Sequence, residues 1–230
     1  MKKVISLAII AVSAMSVSAQ LASDMSLSEI DAPGSYNLVG VSYDNTDLSG
    51  KNYTFNGKES MGLNGFGVEY THGFGLTRSL PMYLEAGLKF NMGFGSNADD
   101  GVKVKMQMAR LSVPVSYAWR FGFGDGMAFT PYAGIDFRFN AIGRLKAENS
   151  DGDESDWMSV FDKEDMGGED ETWNRFQLGW HVGARFEYSS LFIGLNYGTD
   201  FIKAYNDTDD EGDKYHVSTG NFAVTVGFRF

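Results

Sequence analysis

The sequence closes with His216-Val217-Ser218-Thr219-Gly220-Asn221-Phe222-Ala223-Val224-Thr225-Val226-Gly227-Phe228-Arg229-Phe230. Phe222, Val224, Val226, Phe228 and Phe230 fall on one face of an extended strand, and Asn221, Ala223, Thr225, Gly227 and Arg229 on the other. One face is bulky and apolar, the other small or polar. A strand of this kind needs an apolar medium on one side and a crowded polar space on the other, and it needs neighbours that share both.

Upstream segments supply seven such neighbours. Strand one runs over about 36–43 and strand two over 61–72, with Phe66, Val68 and Tyr70 against Gly65, Gly67 and Glu69. Strand three, 81–92, sets Leu84, Ala86, Leu88 and Phe90 against Glu85, Gly87 and Lys89. Strand four, 102–120, puts Met106 and Met108 on one parity and Leu111, Val113, Val115 and Tyr117 on the other, so a one-residue bulge near Ala109 and Arg110 is expected. Strands five (127–142), six (172–188) and seven (191–205) repeat the pattern, and the closing strand makes eight.

The N-terminus restricts the compartment. Lys2-Lys3, an apolar run from Val4 to about Met15, and Val17-Ser18-Ala19 read as a secretory signal peptide over 1–19, cleaved before Gln20. Residues 20–33 read as a flexible periplasmic leader and 34–230 as one β-domain. No later stretch is long and apolar enough for a membrane helix, so any insertion uses strands. The chain has no cysteine, which excludes a disulfide scaffold and a Cys-linked lipid anchor. Without Lys2 and Lys3 the 19 basic residues fall to 17 against 30 acidic ones, a net charge of −13 that argues against nucleic acid as a partner.

Alternation alone leaves open which face is inside, because a soluble lipocalin-type barrel or a sandwich alternates equally well. The polar face here is crowded with glycine and carries charges of both signs, which suits the narrow interior of eight strands. The large apolar side chains then face lipid. The first, third, fifth and seventh connections (44–60, 93–101, 143–171 and 206–215) are longer or more acidic than the second, fourth and sixth. That is the long-outside, short-inside asymmetry of an outer-membrane barrel. The expected fold is all-β, an eight-stranded antiparallel up-and-down transmembrane β-barrel.

The signal peptide, these strands, the segment Leu111-Ser112-Val113-Pro114-Val115 and the Phe-terminated last strand together resemble the outer-membrane protein β-barrel domain family, OmpA- and OmpX-sized and PorT-like. The resemblance covers about residues 34–230 and implies residence in the cell outer membrane. It also implies contact with outer-membrane lipid and lipopolysaccharide, and a monomer without cofactor. It further implies that Phe222, Val224, Val226, Phe228 and Phe230 serve as the signal read by the barrel-assembly machinery. Fold alone does not determine activity.

Candidate sites divide between lumen and loops. Glu69, Glu85, Lys89, Asp136, Arg138, Arg175, His181, Arg185, Glu187 and Arg229 share the inward parity, and they either pair and fill the lumen or line an ion path. In the loop 143–171, Trp157 and Phe161 stand among carboxylates, as contacts for a surface ligand or as rings folded onto the rim. Asp207 to Asp213 echoes the start of a calcium loop, but its twelfth position is Ser218 rather than Glu, so no metal is assigned. His216 and Ser218, two apart on a strand, resemble the pair in outer-membrane lipid A deacylases, for which only a loop acid such as Asp213 is at hand. No catalytic residue is assigned. The expected role is structural or surface-binding, through acidic extracellular loops; a narrow channel and a membrane-embedded lipid hydrolase are the alternatives.

Overall fold

The structure, a computed structural model, describes residues 34–77, 80–165, 173–208 and 212–230. The segments read as signal peptide and leader lie outside the described residues. The strands are β1 (Tyr36–Lys51), β2 (Ser60–Gly75), β3 (Met82–Asp99), β4 (Val102–Trp119), β5 (Phe121–Gly124), β6 (Met127–Glu148), β7 (Met158–Ser159), β8 (Phe176–Tyr188), β9 (Leu191–Asp200), β10 (Tyr205–Thr208) and β11 (Lys214–Arg229). Eight of them form a ring in the order β1, β2, β3, β4, β6, β8, β9, β11, and β11 pairs back onto β1. The closing seam runs antiparallel from Leu38 opposite Arg229 to Lys51 opposite His216. Phe230 joins it through its backbone, donating to the Asn37 carbonyl at 3.0 Å and accepting from the Asn37 N–H at 2.8 Å. No sheet edge of the ring is left open, which is what a lipid environment demands.

The two faces divide as their side chains require. Val41, Phe66, Leu88, Phe137, Ile193 and Phe228 point outward and are exposed, Phe66 to 74%. Ser42, Asp44, Arg110, Arg138, Arg185 and Glu187 point inward and are buried. This inverts the arrangement of a water-soluble protein and places an apolar belt where lipid would lie.

At one rim the strands run further than the alternation of apolar residues suggests. β1 continues through Asp44 to Lys51, and β3 runs to Asp99, so the third connection is only the two-residue turn Asp100-Gly101. Both turn residues have positive φ, 45° and 78°, as a tight hairpin turn favours. β6 likewise reaches Glu148, and β10 folds back as a short hairpin on β11. Above the lipid belt a strand needs no apolar outward face, so the hydrophobic period fades while the backbone ladder continues. The opposite rim keeps short turns, including Asp125-Gly126 and Ser189-Ser190.

The bulge lies on a different strand from the one expected. The β4–β6 register shifts between Ala109 and Arg110, and the extra residue is Ala141 of β6. Against β3, β4 keeps one register throughout. Met106 and Met108 therefore share the inward parity of Arg110 and Ser112, and their apolar side chains need another explanation.

That explanation is the layering of the lumen. At the loop rim Leu48, Met61, Leu63, Met106, Met108, Val160, Trp173 and Val217 form an apolar plug, with Phe55, Tyr205 and Ala204 beside them. At the turn rim Tyr36, Leu38, Tyr83, Ala118 and Phe192 form a smaller apolar layer. Charged side chains occupy the space between, and Glu187, Arg120 and Arg229 intersperse the turn-rim layer. Each fully buried Leu or Met adds roughly 1.5–3 kcal/mol of burial free energy, so the plug is a second core as well as a stopper.

Candidate functional site

The middle of the lumen holds a continuous network of paired charges. Arg185 on β8 donates from Nη1 to Glu85 Oε2 at 3.0 Å and from Nη2 to Oε1, and the Tyr36 hydroxyl donates to the same carboxylate. Lys89 meets Asp44 at 2.6 Å and Glu69 at 3.9 Å. Arg138 joins Asp136 at 2.7 Å and also pairs with Asp200. Nearer the turn rim Glu187 accepts from Arg120 and from the Thr130 hydroxyl, each at 2.9 Å, and lies 3.6 Å from Arg229. Every carboxylate thus has a cation within reach, the condition on which charges persist in a low-dielectric interior.

Of the ten inward charges expected from parity, nine lie in this lumen and Arg175 does not. Arg175 precedes the first residue of β8, is exposed, and places its guanidinium 4.4 Å from the Phe161 ring. Asp44, Arg110 and Asp200 are network members that the parity list omits. Asp44 continues the inward series Leu38, Gly40, Ser42 of β1, so the signal existed in the sequence once β1 is carried past Tyr43. Arg110 was hidden by the bulge assigned to its position; it donates to Asn140 Oδ1 at 3.2 Å.

Ser116, His181 and Asp136 form a relay. Ser116 Oγ lies 2.7 Å from His181 Nε2, and His181 Nδ1 lies 3.1 Å from Asp136 Oδ2. The order of groups matches a hydrolase triad, but the surroundings do not supply a substrate site. The adjoining cavity measures about 70 Å³, room for a few waters. Small-molecule pockets are several times larger, roughly 300–1,000 Å³. Asp136 also serves Arg138, so the relay reads as part of the packing of charges.

The loop after β6 returns to the barrel. β7 pairs with β6 through Met158 and Leu145, and Val160 enters the plug with no exposed surface. Phe161 is half-buried and packs against the plug, so within residues 157–161 the exposed apolar side chains are Trp157 and Met158, at 39% and 40%. Trp157 sits over Arg144 at 4.6 Å and Lys146 at 5.1 Å, a cation–π platform on the outward face of β6. Glu154 ties the same loop down, bonding Lys105 at 2.6 Å and also Lys146. Hydrogen bonds from Lys105 and Lys146 hold the Glu154 carboxyl down to about 2. Lys105 hydrogen bonding lowers Glu148 likewise, and the Lys105 ammonium is raised by the same two carboxylates. Glu169, Asp170 and Glu171 lie outside the described residues.

On the opposite side of the loop rim, Ser218 Oγ accepts from Lys203 Nζ at 2.8 Å. Burial, then Lys203 and Lys51, hold the His216 imidazole below its ordinary value. A nucleophile engaged by an ammonium beside a histidine surrounded by cations is poorly arranged for acyl transfer, which needs an acid behind the base. His72 is far from both, near the turn rim, with Nδ1 2.8 Å from Asn37 Oδ1. Of the Asp207–Asp213 stretch, Asp209, Asp210 and Glu211 lie outside the described residues. Among the described residues no cluster of three His, Asp or Glu side chains is arranged to hold a metal ion.

A family model described as outer membrane protein beta-barrel domain matches residues 6–230. Among solved structures, Ail, the attachment invasion locus protein of Yersinia pestis, crystallised with the heparin analogue sucrose octasulfate, aligns at 11% identity and TM-score 0.45, covering 85% of this chain and 99% of that one. Neisserial surface protein A aligns at 13% identity and TM-score 0.42, covering 86% and 99%. The N-terminal β-barrel domain of Pseudomonas aeruginosa OprF aligns at 14% identity and TM-score 0.30, covering 86% and 99%. No curated protein matches the chain.

Proposed function

The chain belongs to the outer membrane protein β-barrel family, and from that premise we propose that it acts at the cell surface as a closed barrel whose loop rim, not its lumen, carries the function. One observation supports this above the others: the lumen is plugged by an apolar cluster at the loop mouth and by paired charges below it, around a cavity of only about 70 Å³, whereas the loop rim leaves Trp157 over Arg144 and Lys146 with Met158 exposed beside it. Aromatic side chains held rigid and half-exposed lose little entropy on contact and make good anchors. The proposed ligand is a protein or glycan met outside the cell, and the role is binding or mechanical support of the envelope. Outer-membrane lipid and the barrel-assembly machinery are the partners this reading adds.

The narrow-channel reading has less support, because an ion would have to pass the apolar plug at the loop mouth and the ion pairs beneath it. The lipid-hydrolase reading has less still, since the hydroxyl of Ser218 is engaged by Lys203. The test displays the intact barrel and two variants on cells, one with Trp157→Ala and one lacking residues 151–170, and measures retention of surface ligands. The intact protein is expected to retain a ligand that both variants lose. Equal retention by all three would remove this loop as the binding element.

A further inference from the structure

Two groups of cations decorate the outward face of the loop rim, and they differ in one respect. On β4 and β6, Lys105 and Lys146 are neutralised by Glu148 and Glu154. On β1 and β11 and before β10, Lys51, Lys203 and His216 converge without such partners. Lys51 and His216 are direct cross-strand neighbours, and Ser49 stands opposite Ser218 in the next outward pair. Lys203 reaches the same patch, donating to Ser218 Oγ. Among the described residues no carboxylate pairs with Lys51 or Lys203. The Asp47 carboxylate in the same outward row of β1 is engaged by the Ser49 hydroxyl at 2.9 Å and pairs with none of the three cations, which leaves them for an external anion.

Its position indicates which anion. These residues continue the outward parity of Tyr43 and Phe222, just past the end of the apolar belt. Phe201 and Ile202, which immediately precede Lys203, are 59% and 44% exposed. Apolar side chains below and ammonium groups above meet the boundary between acyl chains and headgroups. The Ser218 hydroxyl adds a hydrogen-bond donor and acceptor between the charges. Ammonium groups and a hydroxyl in this arrangement suit phosphate oxygens, to which charge-assisted hydrogen bonds are the strong ones.

We propose that Lys51, Lys203, His216 and Ser218 form a binding site for the phosphate of an outer-leaflet lipid headgroup. The site would fix the barrel's rotation against one lipid and bring charge compensation to a rim that otherwise repels anionic lipid. The inference rests on the outer-membrane reading above. His216 supplies a local reporter, because its imidazole is held low by burial and by Lys203 and Lys51, and a bound phosphate would reverse the effect of those two cations.

The experiment places the full chain in nanodiscs of phosphatidylcholine, with or without diphosphoryl lipid A, and follows the His216 ring resonance through a pH titration. Lipid A is expected to raise the His216 midpoint, and inorganic phosphate alone to leave it nearly unchanged. Lys51→Gln or Lys203→Gln should weaken lipid A retention roughly tenfold, as expected for one charged hydrogen bond, while Lys105→Gln, at the compensated cluster, should not. Equal retention by all three variants, an unmoved His216 midpoint, or an equal response to free phosphate would overturn the site. A chain that remains soluble without detergent would instead overturn the membrane reading; one that inserts but fails these comparisons loses only the lipid site.

Discussion

Arg185 on β8 grips both carboxylate oxygens of Glu85 on β3, across the lumen and 100 residues away in sequence. The Tyr36 hydroxyl completes the shell around the carboxylate. Because both charges are buried, the energetic weight lies in the pairing: losing one partner leaves the other desolvated and alone. Glu85→Gln is therefore expected to destabilise the refolded barrel by about 3–5 kcal/mol, and the double change Glu85→Leu with Arg185→Met by clearly less. Urea unfolding in detergent or bilayers reads both. A loss under about 1 kcal/mol for Glu85→Gln would mean that water reaches Arg185.

That pair also shows what a sequence can disclose. Glu85 and Arg185 announce their inward direction through strict alternation with Leu84, Ala86, Ala184 and Phe186, so membership of the lumen was legible. Which cation meets which anion was not, because it depends on ring order and stagger. Glu85 and Arg185 come from strands separated by two others. The strand extensions above the lipid belt were hidden for a different reason: Asp44, Asp47 and Asp99 read as loop residues wherever hydrophobicity is the guide. Met106 and Met108 were legible as inward only after the plug existed to receive them. Val160, which completes that plug, comes from a loop whose acidic composition suggests solvation, and Trp173 from the start of the expected sixth strand, ahead of the first residue of β8.

The return of that segment has a pH signature. Lys105 and Lys146 depress the Glu154 carboxyl from an ordinary 4.5 to about 2. A carboxylate with a depressed folded-state value stabilises docking fully above its undocked value, and loses that contribution as the pH falls through its docked one. The loop is thus expected to stay docked from pH 7 down to about 4.5, and to loosen progressively toward pH 2. A fluorine label on the Trp157 ring, followed by NMR, checks this. Release centred near pH 6 would point to a histidine instead, and Glu154→Gln should leave Trp157 less ordered at neutral pH.

Phe230 separates assembly from stability. Its ring is 69% exposed while its backbone bonds hold the seam to Asn37. Phe230→Ala keeps the backbone bonds and removes only an outward ring, a change expected to alter unfolding free energy by less than about 0.5 kcal/mol. If the terminal aromatic is read during insertion, the same variant should be depleted from the membrane of living cells. Refolding in vitro with a normal midpoint, together with a reduced cellular level, is the expected pair of results. Normal membrane levels would end the assembly-signal reading.

Closure of the lumen is tested by conductance. Water and ions entering from the loop rim meet the apolar plug, with Leu48 and Met61 above Leu63, and Met106 above Met108, a constriction of the kind that blocks ions by excluding water. Beneath it, Arg185 pairs with Glu85 and Arg138 with Asp200, and an ion entering this layer would have to compete with those pairs. The two barriers act in series. Met106→Ala with Met108→Ala should cost about 2–5 kcal/mol of stability per site, yet the variant should remain silent in planar bilayers because the charge layer stays closed. Adding Glu85→Ala and Arg185→Ala to those two should produce measurable current. Stable, ion-selective openings from the unmodified protein would show that the plug yields and would restore the channel reading. Current from the methionine variant alone would place the whole barrier in the plug and leave the charge network as packing.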